Sequence, residues 1–188
     1  MEKEIKIVFH NLGLRSFIGV DLCMECPRQD GKGCCGNYSP VFYPVDLAYL
    51  MIHKPDLIDY IFSLNDITIL DASVTINNDI DGMSYKCKFH SSEGGCLLSQ
   101  DLRESICRHF VCSGIGLWLE ENCQQWKKFF DQLFAYEIYL NNKLTTMLIE
   151  KGLTLRNPAL RPDFLRELLQ LYYKEITSLP DFIKEFPD

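Results

Sequence analysis

The chain has 188 residues, of which 47% are hydrophobic and 24% charged, with a formal net charge of -7. At this length about 70% of the unfolded surface is buried on folding, so disulfides are not needed to make up for a small core. The acidic balance, with no stripe of Lys and Arg, speaks against a nucleic-acid binder, because phosphate neutralisation needs a cationic face.

At the N-terminus, Met1 to Lys6 alternates in charge and carries neither an apolar h-region nor a small-residue cleavage site. No run of about 18 apolar residues occurs, so no membrane span is expected. A reducing cytoplasm follows as the expected location.

Glu4 to His10 alternates and is rich in Ile and Val, which predicts a strand. Asn11-Leu12-Gly13 is a turn, and Ser16 to Leu22 a second strand that leads into Cys23. Val45 to Phe62 reads as helical. Pro55 disfavours the helical conformation at Lys54, which predicts two short helices. Pro44 and Asp46 suit the first turn of the first helix, and Asp56 that of the second.

Ile67 to Ile76 is rich in Ile, Val and Thr and reads as one strand. Asn77 to Gly82 is a turn, and Ser84 to Phe89 a return strand, so the spacing predicts a hairpin over 67–89. Ser91 to Gly95 is a further turn. Asp101-Leu102-Arg103-Glu104 has the form of a capping box and predicts a short helix carrying Cys107 and ending near Gly114. Gln124 to Lys151 is the longest helical pattern. Trp126, Phe130, Leu133, Leu140, Leu144 and Met147 recur at three- and four-residue intervals, with Gly152 as the C-cap residue. Pro162 to Ile176 is a final helix. The aromatic and leucine stripes are core-packing faces.

The expected fold is α+β: a small cysteine-rich mixed domain over residues 1–123, with a helical extension over 124–188 that packs on it. Every cysteine lies in the first part. Nine cysteines in a cytoplasmic chain point to metal more than to disulfides, and the odd number fits a complete disulfide framework poorly. Cys23-x-x-Cys26 has the spacing of a metal knuckle, in which the backbone curls and aims two sulfurs at one ion. Cys34 and Cys35 are adjacent and flanked by Gly33 and Gly36, which permit a sharp loop. Cys87, Cys96, Cys107 and Cys112 form a second group. These eight are the candidate metal ligands, and Cys123 is left as a core thiol. Thiolates suit zinc and iron–sulfur clusters alike. His90 and His109 are alternative ligands. Lys86, Lys88, Arg108 and His109 are placed to offset thiolate charge, with Arg108 the candidate cofactor-binding residue.

Taken together, Cys23-x-x-Cys26, Gly33-Cys34-Cys35, Pro44-Val45-Asp46-Leu47, Cys87, Gly95-Cys96 and Cys107-Arg108-His109-Phe110 resemble the CxxCxxCC family, described as a zinc- or iron-chelating domain. Seven residues separate Cys26 from Cys34, and Glu104 stands where that family has proline. The family includes flagellin lysine N-methylase. The resemblance therefore implies a cysteine-held 4Fe–4S cluster or zinc. It also implies, as an alternative, an iron–sulfur enzyme that uses S-adenosylmethionine to methylate a protein lysine. A third reading, independent of the resemblance, is a zinc-stapled interaction module whose helical tail offers a surface to a protein partner.

Overall fold

The computed structural model describes residues 4–24, 34–91, 93–112 and 115–184, and over them the chain is a mixed α+β protein. Strands β1 (Ile7–His10) and β2 (Phe17–Val20) pair antiparallel, with Ile7 opposite Val20 and His10 opposite Phe17. Ser16 fixes the connection between them. Its hydroxyl donates to the Gly13 carbonyl at 2.7 Å and accepts from the Leu12 N–H at 2.9 Å. Helix α1 (Cys34–Asn37) is a single turn.

Strand β3 (Val41–Phe42) leads into α2 (Pro44–His53), and α3 (Pro55–Ser63) follows after Lys54. The break falls where Pro55 demands it, with Lys54 at φ -153° and ψ 62°, outside the helical region. Pro44 occupies the first turn of α2, and the Asp46 carboxylate accepts the Tyr43 N–H at 3.1 Å. The chain thus stops and restarts its helix at residues that suit helix starts.

The run expected as one strand over 67–76 is two. Strands β4 (Ile67–Ile69) and β5 (Val74–Ile76) fold back on each other, Ile67 opposite Ile76 and Ile69 opposite Val74. Leu70 to Ser73 makes the turn, closed by the Leu70 N–H donating to the Ser73 carbonyl at 2.9 Å. Asp71 and Ser73 supply turn chemistry inside an otherwise β-branched stretch. The hairpin expected over 67–89 is therefore replaced. Strand β5 pairs with β3 and β4, and a separate hairpin joins β6 (Asp79–Asp81) to β7 (Ser84–Lys86) around Gly82, at φ 62°.

Helix α4 (Ser105–His109) begins later than a cap at Asp101 would place it. Gln100–Leu102 forms a 3-10 turn, and Glu104 is itself the N-cap. Its two carboxylate oxygens accept the Ile106 and Cys107 N–H groups, each at 2.8 Å. One buried carboxylate satisfies two of the orphan amides that a helix start exposes, which outweighs the expected box. The end of that helix expected near Gly114 comes earlier, at His109; residues 113–114 lie outside the described ones.

Helix α5 (Gln124–Glu150) ends in a Schellman arrangement. The Leu153 N–H donates to Leu148 at 3.0 Å and the Gly152 N–H to Ile149 at 2.8 Å, with Gly152 at φ 72°. Helix α6 (Arg161–Ile176) has Pro162 in its first turn. The short α7 (Asp181–Lys184) is too brief to leave a periodicity in the sequence. Among the described residues, no helix is long and apolar enough to cross a membrane.

The chain forms two compact units, each built from two segments: Met1–Pro40 with Asn77–Asp131, and Val41–Ile76 with Gln132–Asp188. In the second unit, the three-stranded sheet β3–β5–β4 shares a core with α2, α3, α6 and the larger part of α5. Phe42, Leu50, Val74, Leu133, Leu140, Leu144, Leu148, Phe164 and Leu168 are buried there. The predicted stripe of α5 is core at Leu133, Leu140 and Leu144, whereas Leu148 rather than Met147 takes the last inward position. Asn141 is buried on the same face because its Oδ1 accepts the Val45 N–H at 2.9 Å, an orphan amide in the first turn of α2. The first unit holds the two hairpins β1–β2 and β6–β7, α1, α4 and the start of α5. All nine cysteine positions fall within it.

Candidate metal centre

In the first unit, hydrogen bonds link the cysteine-bearing segments. Cys35 lies in α1, and its carbonyl accepts the Cys87 N–H at 2.8 Å, just past the end of β7. The two cysteine groups of the sequence therefore meet at the backbone. From Cys87 the chain turns at once, with its carbonyl accepting the His90 N–H at 2.9 Å. His90 then bridges to Cys96, and the Leu97 N–H donates to Phe89 at 2.8 Å. The predicted turn at 91–95 closes this loop, with Gly94 at φ 101° and Gly95 at φ 74°. Only glycine reaches such values without strain, so the glycine pair before Cys96 is a conformational requirement.

Cys23 sits in the 3-10 turn Asp21–Met24 that follows β2. Cys107 lies inside α4, its N–H held by Glu104, and the Cys112 carbonyl accepts the Ile115 N–H at 3.0 Å. Cys23, Cys35, Cys87, Cys96, Cys107 and Cys112 all stand as thiols rather than cystines, as does Cys123. Cys26 and the side chain of Cys34 lie outside the described residues. Cys123 is buried, and its burial, with the Glu120 charge adding, raises the thiol pKa.

Two buried arginines, Arg15 and Arg108, tie the loop over 98–109 to the segment that enters β2, and a third, Arg103, braces the loop internally. Arg15 donates from Nη2 to the carbonyls of Asp101 and Arg103, each at 2.6 Å. Arg103 donates to the Leu98 carbonyl at 3.0 Å. Arg108, fully buried, donates from Nη1 to the Ser16 carbonyl at 2.7 Å and from Nε to Arg103 at 3.2 Å. Gln100 adds a bond to the Ile18 carbonyl at 3.1 Å. The strand that delivers Cys23 is in this way tied to the segment that delivers Cys107. A planar guanidinium suits the task because it donates to several carbonyls from one rigid fork.

The Arg108 guanidinium is turned inward onto the Ser16 and Arg103 carbonyls and builds the loop. Arg15 and Arg103 escaped the sequence reading, since arginine is seldom buried and no motif marks it. Lys88 pairs with the half-exposed Asp79 on β6.

His109 ends α4. Its ring packs against Phe130 with centroids 5.0 Å apart, and its Nε2 lies 3.3 Å from Arg108 Nη1. Burial, with the positive charge of Arg108 adding, holds the imidazole pKa well below its usual value, so the ring is neutral. Its Nδ1 is sealed from solvent and has no hydrogen-bond partner among the described residues. Phe130 belongs to an aromatic block in which Phe9 stacks on Trp126 at 4.7 Å and lies 6.1 Å from Trp118.

Among the described residues, no three of His, Cys, Asp and Glu converge closely enough to hold an ion. The described part supplies the frame and most of the thiols, with Cys35 and Cys87 joined through the backbone. The donor chemistry, thiols in one unit with buried cations and an orphaned imidazole nitrogen, fits a soft-ligand metal. Compared with known proteins, the chain matches no family description, no curated protein and no solved structure.

Proposed function

We propose that the first unit binds a metal centre through cysteine thiolates, drawn from Cys23, Cys26, Cys34, Cys35, Cys87, Cys96, Cys107 and Cys112. The centre is an iron–sulfur cluster or zinc. The observation that carries this reading is the hydrogen bond between Cys87 and Cys35, which joins two cysteine groups far apart in the chain. The resemblance to the CxxCxxCC family supports the same donors.

The buried guanidinium groups of Arg15 and Arg108 support a thiolate site, because four thiolates around one metal leave excess negative charge. When bound, zinc would act as a structural staple and an iron–sulfur cluster would carry electrons. The residues themselves orient the donors: Glu104 fixes the Cys107 amide, and the Gly94–Gly95 pair fixes the approach to Cys96. S-adenosylmethionine-dependent methyl transfer to a protein lysine draws on the resemblance alone, and calorimetric titration with S-adenosylmethionine tests it.

The deciding experiment is elemental analysis of anaerobically purified protein together with its visible spectrum. Iron with sulfide and a broad band near about 400 nm selects the cluster, and colourless protein with stoichiometric zinc selects zinc. Protein that holds neither metal, and melts at the same temperature with and without added zinc or reconstituted iron and sulfide, overturns the proposal.

A further inference from the structure

We propose that strand β6 is a docking edge that takes an extended, basic segment of another protein as a third strand beside the β6–β7 hairpin. The inference goes beyond the metal reading and does not depend on it. Gly82 and Met83 alone join the two strands, so Asp81 and Ser84 form the hydrogen-bonded pair that closes the hairpin. Pairing alternates along the ladder, and Ile80 opposite Tyr85 is therefore a non-hydrogen-bonded pair. The Ile80 N–H and C=O point away from β7, and neither has a partner among the described residues. The β7 side is backed instead. The Cys87 N–H, just past β7, donates to Cys35 in α1, and Asn78 Nδ2 donates to the Tyr38 carbonyl at 3.2 Å. Strand β6 is thus anchored at its base and open along its edge, with all three residues exposed.

The side chains say what this edge accepts. Ile80 is 81% and Tyr85 57% exposed, and as cross-strand neighbours they share one face of the hairpin. Met83 is fully exposed at the turn. Apolar residues gathered on one hairpin in this way differ from the single scattered ones that a surface ordinarily carries. On the opposite face Asp79 and Asp81 flank Ile80, both exposed. The nearby cations come from the β7 side, Lys86 opposite Asp79 and Lys88 paired with it, so the outer edge is acidic. A second copy of the chain adding antiparallel about Ile80 would set Asp79 against Asp81 twice, which repels. A strand with Lys or Arg at both flanking positions and an apolar residue between them meets the carboxylates and the apolar face together.

The test uses the full chain and a fluorescein-labelled peptide, Thr-Val-Lys-Ile-Lys-Val-Thr, read by fluorescence anisotropy. Saturable binding that weakens as salt rises is expected, with the counterpart carrying Glu for both Lys about tenfold weaker. Ile80→Pro removes the outward N–H and crowds the edge, yet leaves the β6–β7 ladder whole because that N–H takes no part in it. It is expected to weaken binding by about tenfold. Asp81→Lys is expected to weaken the Lys peptide and strengthen the Glu peptide, each by about 3–10-fold. Tryptophan fluorescence verifies that each variant is folded. No saturable binding up to about 1 mM, equal binding of the two peptides, or an undiminished affinity in folded Ile80→Pro overturns the proposal. Peptide preferences that Asp81→Lys leaves unchanged do the same. A parent that sediments as a dimer, with Ile80→Pro a monomer, also overturns it by assigning the edge to a second copy. None of these failures touches the metal reading, which elemental analysis tests separately.

Discussion

Replacing Arg108 by methionine gives the sharpest test of how the cysteine loop is built. The side chain is fully buried and donates to Ser16 at 2.7 Å and to Arg103 at 3.2 Å. Each hydrogen bond from a charged group contributes about 1.5–3 kcal/mol net, and its loss leaves a buried carbonyl bare. Methionine refills much of the volume, so the expected loss is about 3–5 kcal/mol. Arg108→Lys keeps the charge but not the fork, and is expected to cost about 2–3 kcal/mol. The assay follows from the sequence. Its two tryptophans, Trp118 and Trp126, both lie in the first unit, so their fluorescence reports that unit in urea. With a slope of about 2 kcal/mol per molar, a loss of about 4 kcal/mol lowers the midpoint by about 2 M. A midpoint for Arg108→Met within about 0.5 M of the parent would refute the stitching argument.

Glu104→Ala removes the acceptor for two amides at the start of α4 and is expected to cost about 1–2 kcal/mol in the same titration, with Glu104→Gln losing less. Gly152→Ala meets nothing within 4 Å, yet its φ of 72° makes any side chain strained, so a loss of about 1–2 kcal/mol is expected from backbone conformation alone. An unchanged thermal midpoint would show that the end of α5 relaxes instead. The pH dependence follows from His109, whose folded pKa is depressed below the usual 6.5 by burial and then by Arg108, with a smaller contribution from Arg15. Because the unfolded chain takes up the proton first, this stability is present above about pH 6.5 and is lost as the pH falls below it. Metal-free protein should therefore show a lower urea midpoint at pH 5.5 than at pH 7.5. In His109→Phe that difference should shrink, and an equal difference in both proteins would exclude His109 as its source.

Much of the local structure could be read from residues whose conformational demands do not depend on their neighbours. Pro55 divides α2 from α3 because the ring excludes helical backbone at Lys54. Gly152 ends α5 because it tolerates a positive φ, and the leucines of α5 are buried where the 3.6-residue period places them. The glycines before Cys96 announced a turn that the backbone makes. The run over 67–76 was misread because β-branched residues signal strand on either side of a turn, and Asp71-Ala72-Ser73 is a quiet signal within it.

By itself the sequence determined the mixed α+β class, the helices of the C-terminal half and a set of cysteines whose chemistry suits a soft metal. Those properties follow from single residues and short periods. Only the tertiary structure decided that two discontinuous segments make each unit, that Cys35 and Cys87 share a hydrogen bond, and that Arg15 and Arg108 are buried beneath the loop. These depend on which backbone carbonyls need donors once strands and turns have packed, a demand set by distant parts of the chain and therefore unmarked in any local pattern.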